Sequence, residues 1–359
     1  MYDIKEIGMV PPPYGGVSVY LSRLIDKLNE DGFTVGGYYI CADKKRDPTS
    51  PLFDRWSWFE TSKFPWKIIK YLFQLRKYRI LHSHMGLEAM VYLWTLKKVL
   101  NKKVVITVHN SMVEDYYKET NRINAFFLRK MAKEKGVVWI AVSQEGRCQL
   151  KRLPLAFSSE IVVIPAYIPD SSQLVALKQE LNDYLTLHDK NLAFYGHSFM
   201  FSKGEDVYGF KEMLEIFKSV SMESPNLGLV YCIADVSDSA AVTELERFAS
   251  SLGIYDKVFW QRGSLPSLES LWEKIDVYVR PTSTDGDSVA IREAIEAGAQ
   301  VVATSVVKRP NNCIIYEQGD INDASKKIKI ALAEGRRFIH KDFSQYEKMK
   351  EVYSELLKK

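Results

Sequence analysis

Cysteine is scarce in this chain. Four occur in 359 residues (Cys41, Cys148, Cys232, Cys313), at no spacing that suits zinc or a disulfide framework. That usage fits a reducing compartment. No apolar run approaches the length of a membrane-spanning helix, about 20 residues. A secretory signal is also lacking, since Met1-Tyr2-Asp3-Ile4-Lys5-Glu6 carries acids and leads into no long apolar core. There is no fixed-period repeat and no low-complexity tract. No Gly-x-Gly-x-x-Gly follows the first apolar run, so a dinucleotide fingerprint is unsupported. A cytoplasmic protein is expected, with peripheral contact at the inner face of the cell membrane left open.

What is present is ordinary globular material, 46% hydrophobic and 26% charged, in a chain long enough for two domains. The net charge of +4 conceals an asymmetry. Residues 1–170 hold 26 Lys and Arg against 17 Asp and Glu, whereas the remainder holds 23 against 28. A basic half joined to an acidic one is either an accident of solvated surfaces or a sign that the first half meets something anionic.

Short apolar runs alternate with helical stretches. Ile4–Val10, Thr34–Cys41, Ile80–His84, Val104–Val108, Val137–Val142 and Ile161–Ile164 read as strands, and Ser18–Asp31 and Glu88–Leu100 as helices. The alternation then restarts at Leu192–Tyr195 and runs through Gly228–Ile233, Val258–Trp260, Val277–Val279 and Val301–Thr304. Such a pattern predicts an α/β protein of two Rossmann-like, doubly wound parallel-sheet domains. The expected division is residues 1–175 and 176–340, with a terminal helix in 341–359 that packs back on either domain.

The most informative stretch is 280–303. An apolar strand enters the turn Arg280-Pro281-Thr282-Ser283-Thr284-Asp285-Gly286-Asp287, a helix starts near Ser288, and Gly298 ends it. Free N–H groups at a helix start suit a phosphate, and an acid beside them, Asp285 or Glu293, can hold a sugar hydroxyl. The loop Pro11-Pro12-Pro13-Tyr14-Gly15-Gly16 precedes the first helix and is either a tight turn or a close approach to a ligand. His82, His84 and His109 lie at predicted strand ends, where open α/β sheets bind ligands. His109, beside Asn110, is expected to touch a ligand. His82 and His84 alternate along a strand, so one of them should face the site, and His84 is preferred. Gly196-His197-Ser198 ends another strand. Lys203-Gly204 follows, a diphosphate contact or a solvated lysine. The backbone of Arg262-Gly263 is placed to meet the edge of a base. Finally, residues 63–79 hold six basic residues and no acid among aromatics and aliphatics. They read as a helix lying on an anionic bilayer or packing on the core. No nucleic-acid reader motif appears.

Taken together, these residues resemble a retaining glycosyltransferase of the GT-B architecture, two Rossmann-like domains facing across a cleft, of the glycosyltransferase family 4 type. The resemblance covers nearly the whole chain. It rests on Gly15-Gly16, Thr107-Val108-His109, Ala141-Val142-Ser143, Val163-Ile164-Pro165 and above all the run from Asp256 to Thr304. Where the family carries Glu, seven residues, Glu, this chain has Asp285 and Glu293. His197 stands where the family has Arg, and Asp287 where it often has an aromatic.

The resemblance implies an N-terminal acceptor-binding domain and a C-terminal domain that binds a nucleoside diphosphate sugar. By it, Glu293 meets the ribose. Asp285 and His109 serve at the transferred sugar. Gly15, Gly16, His197, Lys203, Arg262, Gly263, Gly286, Asp287, Ser288 and Val289 line the donor, with His84 and Asn110 on the acceptor side. It implies no cofactor and no metal, because fixed positive groups do what a divalent ion does elsewhere. The leaving phosphate would assist attack on the same face of the sugar. The expected acceptor is a saccharide, lipid-linked, in bacterial surface polysaccharide synthesis. Two other readings stand beside this one: a non-catalytic nucleotide-sugar-binding partner of a transferase complex, and an epimerase or phosphorylase of the same fold.

Overall fold

β1 (Tyr2–Gly8) is buried from Ile4 onward, as the central strand of a sheet covered on both faces must be. It begins a computed structural model that describes residues 2–9, 16–41, 53–57, 73–87, 90–109, 113–170, 174–202, 204–265, 267–285 and 288–358. The chain divides into two compact units. Unit 1 is Met1–Ile168 with Asp342–Lys359, and unit 2 is Pro169–Lys341. The division thus falls at Ile168, ahead of residue 175, because Ala166, Tyr167 and Ile168 are buried and two of them join a core cluster of unit 1.

In unit 1, β1 is followed by β2 (Val35–Cys41), β3 (Phe53–Ser57), β4 (Tyr78–Ser83), β5 (Lys103–Val108), β6 (Val137–Ala141) and β7 (Ile161–Val163). Every pair is parallel, in the order β3-β2-β1-β4-β5-β6-β7. Its helices are α1 (Gly16–Glu30), α2 (Met90–Leu100), α3 (Val113–Glu119), α4 (Arg122–Lys133) and α5 (Gln144–Arg152). Side chains alternate across the sheet, so Val104 and Ile106 join one core while Val105 joins the other. The first core takes Leu93, Leu96, Leu128 and Trp139. The second takes Leu21, Leu24, Ile25 and Leu28 of α1.

Unit 2 contains α6 (Gln179–Thr186), β8 (Lys190–Gly196), a small antiparallel hairpin of β9 (Phe201–Ser202) and β10 (Glu205–Asp206), and α7 (Phe210–Ser221). There follow β11 (Leu227–Ile233), α8 (Ser239–Ser251), β12 (Val258–Arg262), α9 (Glu269–Trp272) and β13 (Val277–Arg280). Last come α10 (Val289–Glu296), β14 (Gln300–Thr304), β15 (Cys313–Tyr316) and α11 (Ile321–Glu334). The six-stranded sheet, β12-β11-β8-β13-β14-β15, is again wholly parallel. Gly209, just before α7, has φ of 72°, and a Cβ there would lie 2.1 Å from the Pro281 carbonyl oxygen. A side chain is therefore excluded twice, by backbone strain and by space. Among the described residues, no helix is long and apolar enough to cross a membrane.

The terminal helix α12 (Ser344–Lys358) returns to unit 1. It buries Tyr346, Met349, Tyr353 and Leu356 against the α1 side of the sheet. Arg79 and Lys103 donate to the carbonyls of Leu357 and Leu356, which satisfies the last turn. Four buried side chains at roughly 2 kcal/mol each rival the net stability of a domain. Deleting residues 342–359 is expected to lower the first thermal midpoint by at least about 10 °C. A melt that matches the full chain would show that α12 is dispensable to unit 1.

Candidate functional site

In a doubly wound sheet, ligands bind beyond the carboxyl ends of the strands where strand order reverses. In unit 1 that point lies between β1 and β4, and in unit 2 between β8 and β13. Both places hold residues that the sequence singles out.

At the unit 1 switch point, Glu6 of β1 lies fully buried. Its Oε2 is 2.8 Å from His84 Nε2 and 3.0 Å from His82 Nδ1. Its Oε1 accepts a hydrogen bond from the Tyr353 hydroxyl of α12 at 2.7 Å. His84 Nδ1 is in turn 2.8 Å from His109 Nε2, just past β5. His82 is held by the Tyr353 hydroxyl at 2.5 Å and by Thr107 Oγ1 at 2.7 Å. Burial would push the Glu6 carboxyl up, but the charge of His82 and hydrogen bonds from His82 and His84 outweigh it. The group is held well below the usual carboxylate range. Burial lowers His84 to about 4 and carries His109 well below its ordinary value. Gly8 makes room for this packing, since a Cβ there would meet Leu21 at 2.8 Å and His84 at 3.1 Å.

His109 is half-buried and directly follows the end of β5, the strand end that the sequence predicts. His84 is 6% exposed and hydrogen-bonded to His109. The two histidines do not take opposite faces, because residues two apart on a strand share a face, and the His82 and His84 rings lie 4.0 Å apart in one cluster.

Glu6, His82 and His84 bring three potential metal ligand atoms within 4.8 Å of one another. The two contacts to Glu6 are 2.8 and 3.0 Å, whereas a tetrahedral zinc with bonds of about 2.0 Å spaces its ligands about 3.3 Å apart. The separations are those of hydrogen bonds.

At the unit 2 switch point, Arg280 closes β13 and Asp285 follows in the turn. Its carboxylate lies between two guanidinium groups, with the side chain one-tenth exposed. Arg280 donates to it at 3.1 and 3.3 Å, and Arg309 at 2.7 Å. Arg309 also donates to the Thr304 carbonyl and to the hydroxyls of Thr282 and Thr304. Arg280 reaches the Tyr195 carbonyl and the Tyr278 hydroxyl, both at 3.3 Å. Burial raises the Asp285 carboxyl, but the two arginines overcome it and the group stays below its ordinary value. This trio carries two positive charges against one negative.

Nearby, α10 starts at Val289, with the Ser288 hydroxyl capping it by accepting from the Ile291 N–H. Glu293 is buried on α10 and receives the Trp272 indole N–H at 3.4 Å. His197 follows β8. Its Nδ1 is buried with no hydrogen-bond partner among the described residues. Burial lowers its pKa, with Asp235 opposing.

Other expected contacts are elsewhere engaged. The Gly263 N–H donates to the Ile233 carbonyl, Arg262 is paired with Glu246, and the carbonyls of Arg262 and Gly263 accept from the Gln261 side-chain amide. Gly16 opens α1 as expected. Gly15, Asn110, Lys203, Gly286 and Asp287 lie outside the described residues, as do residues 63–72. The far end of the 63–79 stretch is strand, because Tyr78 and Arg79 begin β4.

Residues 14–171 match the family described as Glycosyltransferase Family 4. The whole chain superposes on GT-B structures at low identity. One is sucrose-phosphate synthase from Thermosynechococcus elongatus, with TM-score 0.73, 16% identity and 99% of each chain covered. A glycosyltransferase from Rickettsia africae gives 0.69 and 16%, again over 99% of each. HepE from Anabaena, solved with UDP and glucose, gives 0.69 and 14%, over 99% of this chain and all of that one. The chain has the GT-B fold. No curated protein matches the sequence.

In this GT-B chain the Asp285 trio is a buried ion cluster, and removing one partner from such a cluster costs about 3–5 kcal/mol. Arg309→Met is expected to destabilise unit 2 by that order. The depressed carboxyl gives stability that is fully present above about pH 4 and is lost as pH falls through the folded value. With one guanidinium gone, the loss should begin at higher pH. Denaturant titrations of both proteins between pH 3 and 7 measure this, and superimposable curves would mean that Arg309 contributes nothing to the carboxylate.

Proposed function

We propose that the protein is a retaining glycosyltransferase. It moves a sugar from a nucleoside diphosphate sugar to a hydroxyl of a saccharide, with unit 2 taking the donor and unit 1 the acceptor. The observation that carries this reading is the charge at the unit 2 switch point. Arg280 and Arg309 exceed Asp285 by one positive charge, beside the amino end of α10. Departure of the sugar builds negative charge on the diphosphate, and a preorganised positive field lowers that barrier. The arginines are spent on Asp285 and its neighbours, so they act through the field. Direct contacts fall to α10 amides, to His197 as a neutral imidazole and to Lys203. Glu293 takes the ribose hydroxyls. His109 meets the sugar or the acceptor hydroxyl.

A uridine nucleotide is the first donor to test, because HepE, of the same fold, was solved with UDP and glucose. A thermal-shift panel of UDP-, GDP- and ADP-sugars, followed by mass spectrometry of products, identifies the pair. With the donor in hand, Glu293→Ala is expected to lower kcat/KM by roughly 10- to 100-fold, the loss of one hydrogen-bonding charged group. Full activity in that variant would remove Glu293 from the donor site.

The acceptor in this proposal is lipid-linked, as in surface polysaccharide synthesis. Its support is α4, which carries Arg122, Arg129, Lys130 and Lys133 and no acid. Ile123 and Phe126, three residues apart and so on one face, are 66% and 48% exposed. Apolar groups among lysines and arginines suit an anionic bilayer. Vesicles containing phosphatidylglycerol should bind the protein, and the pair Ile123→Asp with Phe126→Asp should weaken binding at least about tenfold. Equal binding by both proteins would place the membrane contact elsewhere or nowhere.

A further inference from the structure

Glu6 and His84 are buried groups to which the proposed reaction gives no task. They stand in line with His109, the residue that it does use. We infer that Glu6, acting through His84, fixes the tautomer of His109, so that His109 meets its ligand with an unprotonated Nδ1 and accepts a hydrogen bond from a hydroxyl. Glu6 and His84 are thus positioning residues. The inference rests on the reading of His109 as a contact of the proposed site.

Two contacts fix where the protons lie. An ionised carboxylate only accepts. Glu6 Oε2, 2.8 Å from His84 Nε2, therefore requires the proton on Nε2. A neutral imidazole carries one N–H, so His84 Nδ1 is an acceptor. His109 Nε2, 2.8 Å from it, must then be the donor. The remaining nitrogen of His109, Nδ1, is left with a lone pair. Among the described residues no other partner takes it. Burial keeps both rings neutral. The carboxylate keeps its charge because the Tyr353 hydroxyl and His82 also face it. Tyr20 packs edge-on to both rings, at 6.0 Å from His84 and 5.8 Å from His109, which limits their rotation.

The alternative is a charged His84 that donates at both nitrogens. His109 Nε2 would then accept, and Nδ1 would carry the proton and donate to the ligand. The two states differ in the sign of the hydrogen bond that the site offers, so they select different ligand atoms. A lone histidine could rotate between them, whereas one tied to a buried carboxylate cannot.

The test is the ring nitrogen pattern of His109 in protein labelled with ¹⁵N-histidine at pH 7.5, assigned with His109→Gln. Long-range ¹H–¹⁵N correlation is expected to show a protonated Nε2 and an unprotonated Nδ1. A protonated Nδ1, or a doubly protonated ring, would overturn the inference, and the pattern is read on the wild-type protein. In Glu6→Gln the side-chain amide can donate to His84, so a population of His109 with Nδ1 protonated should appear. Tyr353→Phe removes a donor but leaves the carboxylate, and it should preserve the wild-type pattern. An unchanged pattern in Glu6→Gln would likewise overturn the inference. Metal analysis of the purified protein accompanies these spectra, since stoichiometric metal on Glu6 and His84 would replace the relay with coordination. In turnover, Glu6→Gln should lose about tenfold in kcat/KM, the effect of one misdirected hydrogen bond. If the tautomer behaves as stated but His109→Gln leaves turnover intact, the relay stands and the functional reading of His109 fails.

Discussion

A carboxylate buried in a sheet has to be met by donors, and unit 1 is arranged around that requirement at Glu6. Leaving such an ion unpaired costs several kcal/mol. The donors come from His82 and His84 on and just past β4, and from Tyr353, 347 positions away on α12. One side chain therefore has two effects. It seats the terminal helix on the sheet face that α1 also covers, and it holds the two histidines that lead to His109. Packing of Tyr346, Met349 and Leu356 supplies the area, while the hydrogen bond from Tyr353 supplies the register.

Unit 2 meets the same problem at Asp285 with different chemistry. Its partners are guanidinium groups, which keep all their protons at any ordinary pH and present a fixed fork of donors. Arg309 spends its donors on Asp285, Thr282 and Thr304, which ties the turn after β13 to the end of β14. The result is a rigid positive point with no freedom of protonation. Imidazoles around Glu6 can carry a proton on either nitrogen, so there the buried acid decides an orientation. Two buried acids, one inside β1 and one in the turn after β13, thus give one unit a directed hydrogen-bond chain and the other a scaffold charge.

The parallel sheets were legible because buried strands read as apolar runs, and each switch point follows from strand order. The end of β5 before His109 and the start of α10 were legible because they close or follow such runs. Other features left no comparable mark. Helices α3 and α4 sit in a stretch where tyrosines, phenylalanines and charges mix without a clean helical stripe, and Ile123 and Phe126 face outward. Glu6 is a lone acid in the run Ile4-Lys5-Glu6-Ile7, and its partner Tyr353 belongs to a helix that sequence assigns to neither domain. The one local hint was two charged residues inside a strand too apolar to reach water. Arg309 lies 24 residues beyond Asp285 in a loop with no motif. The spacing of Asp285 and Glu293 names a pair of acids, but not the arginines that occupy one of them.

Charge shows most clearly what composition can and cannot say. Residues 1–170 are basic in total, yet their switch point is organised by a buried carboxylate. The remainder is acidic in total, yet the buried trio beyond β13 sets two guanidiniums against one acid. Surface charges are separated by water and screened within about 10 Å at ordinary salt, whereas buried charges are screened far less. The totals therefore describe what each half attracts at a distance, such as an anionic surface near α4. The few buried groups act at contact range, and their sign is independent of the sum. A nucleotide sugar would be held by an arrangement that the net charge of its own half conceals.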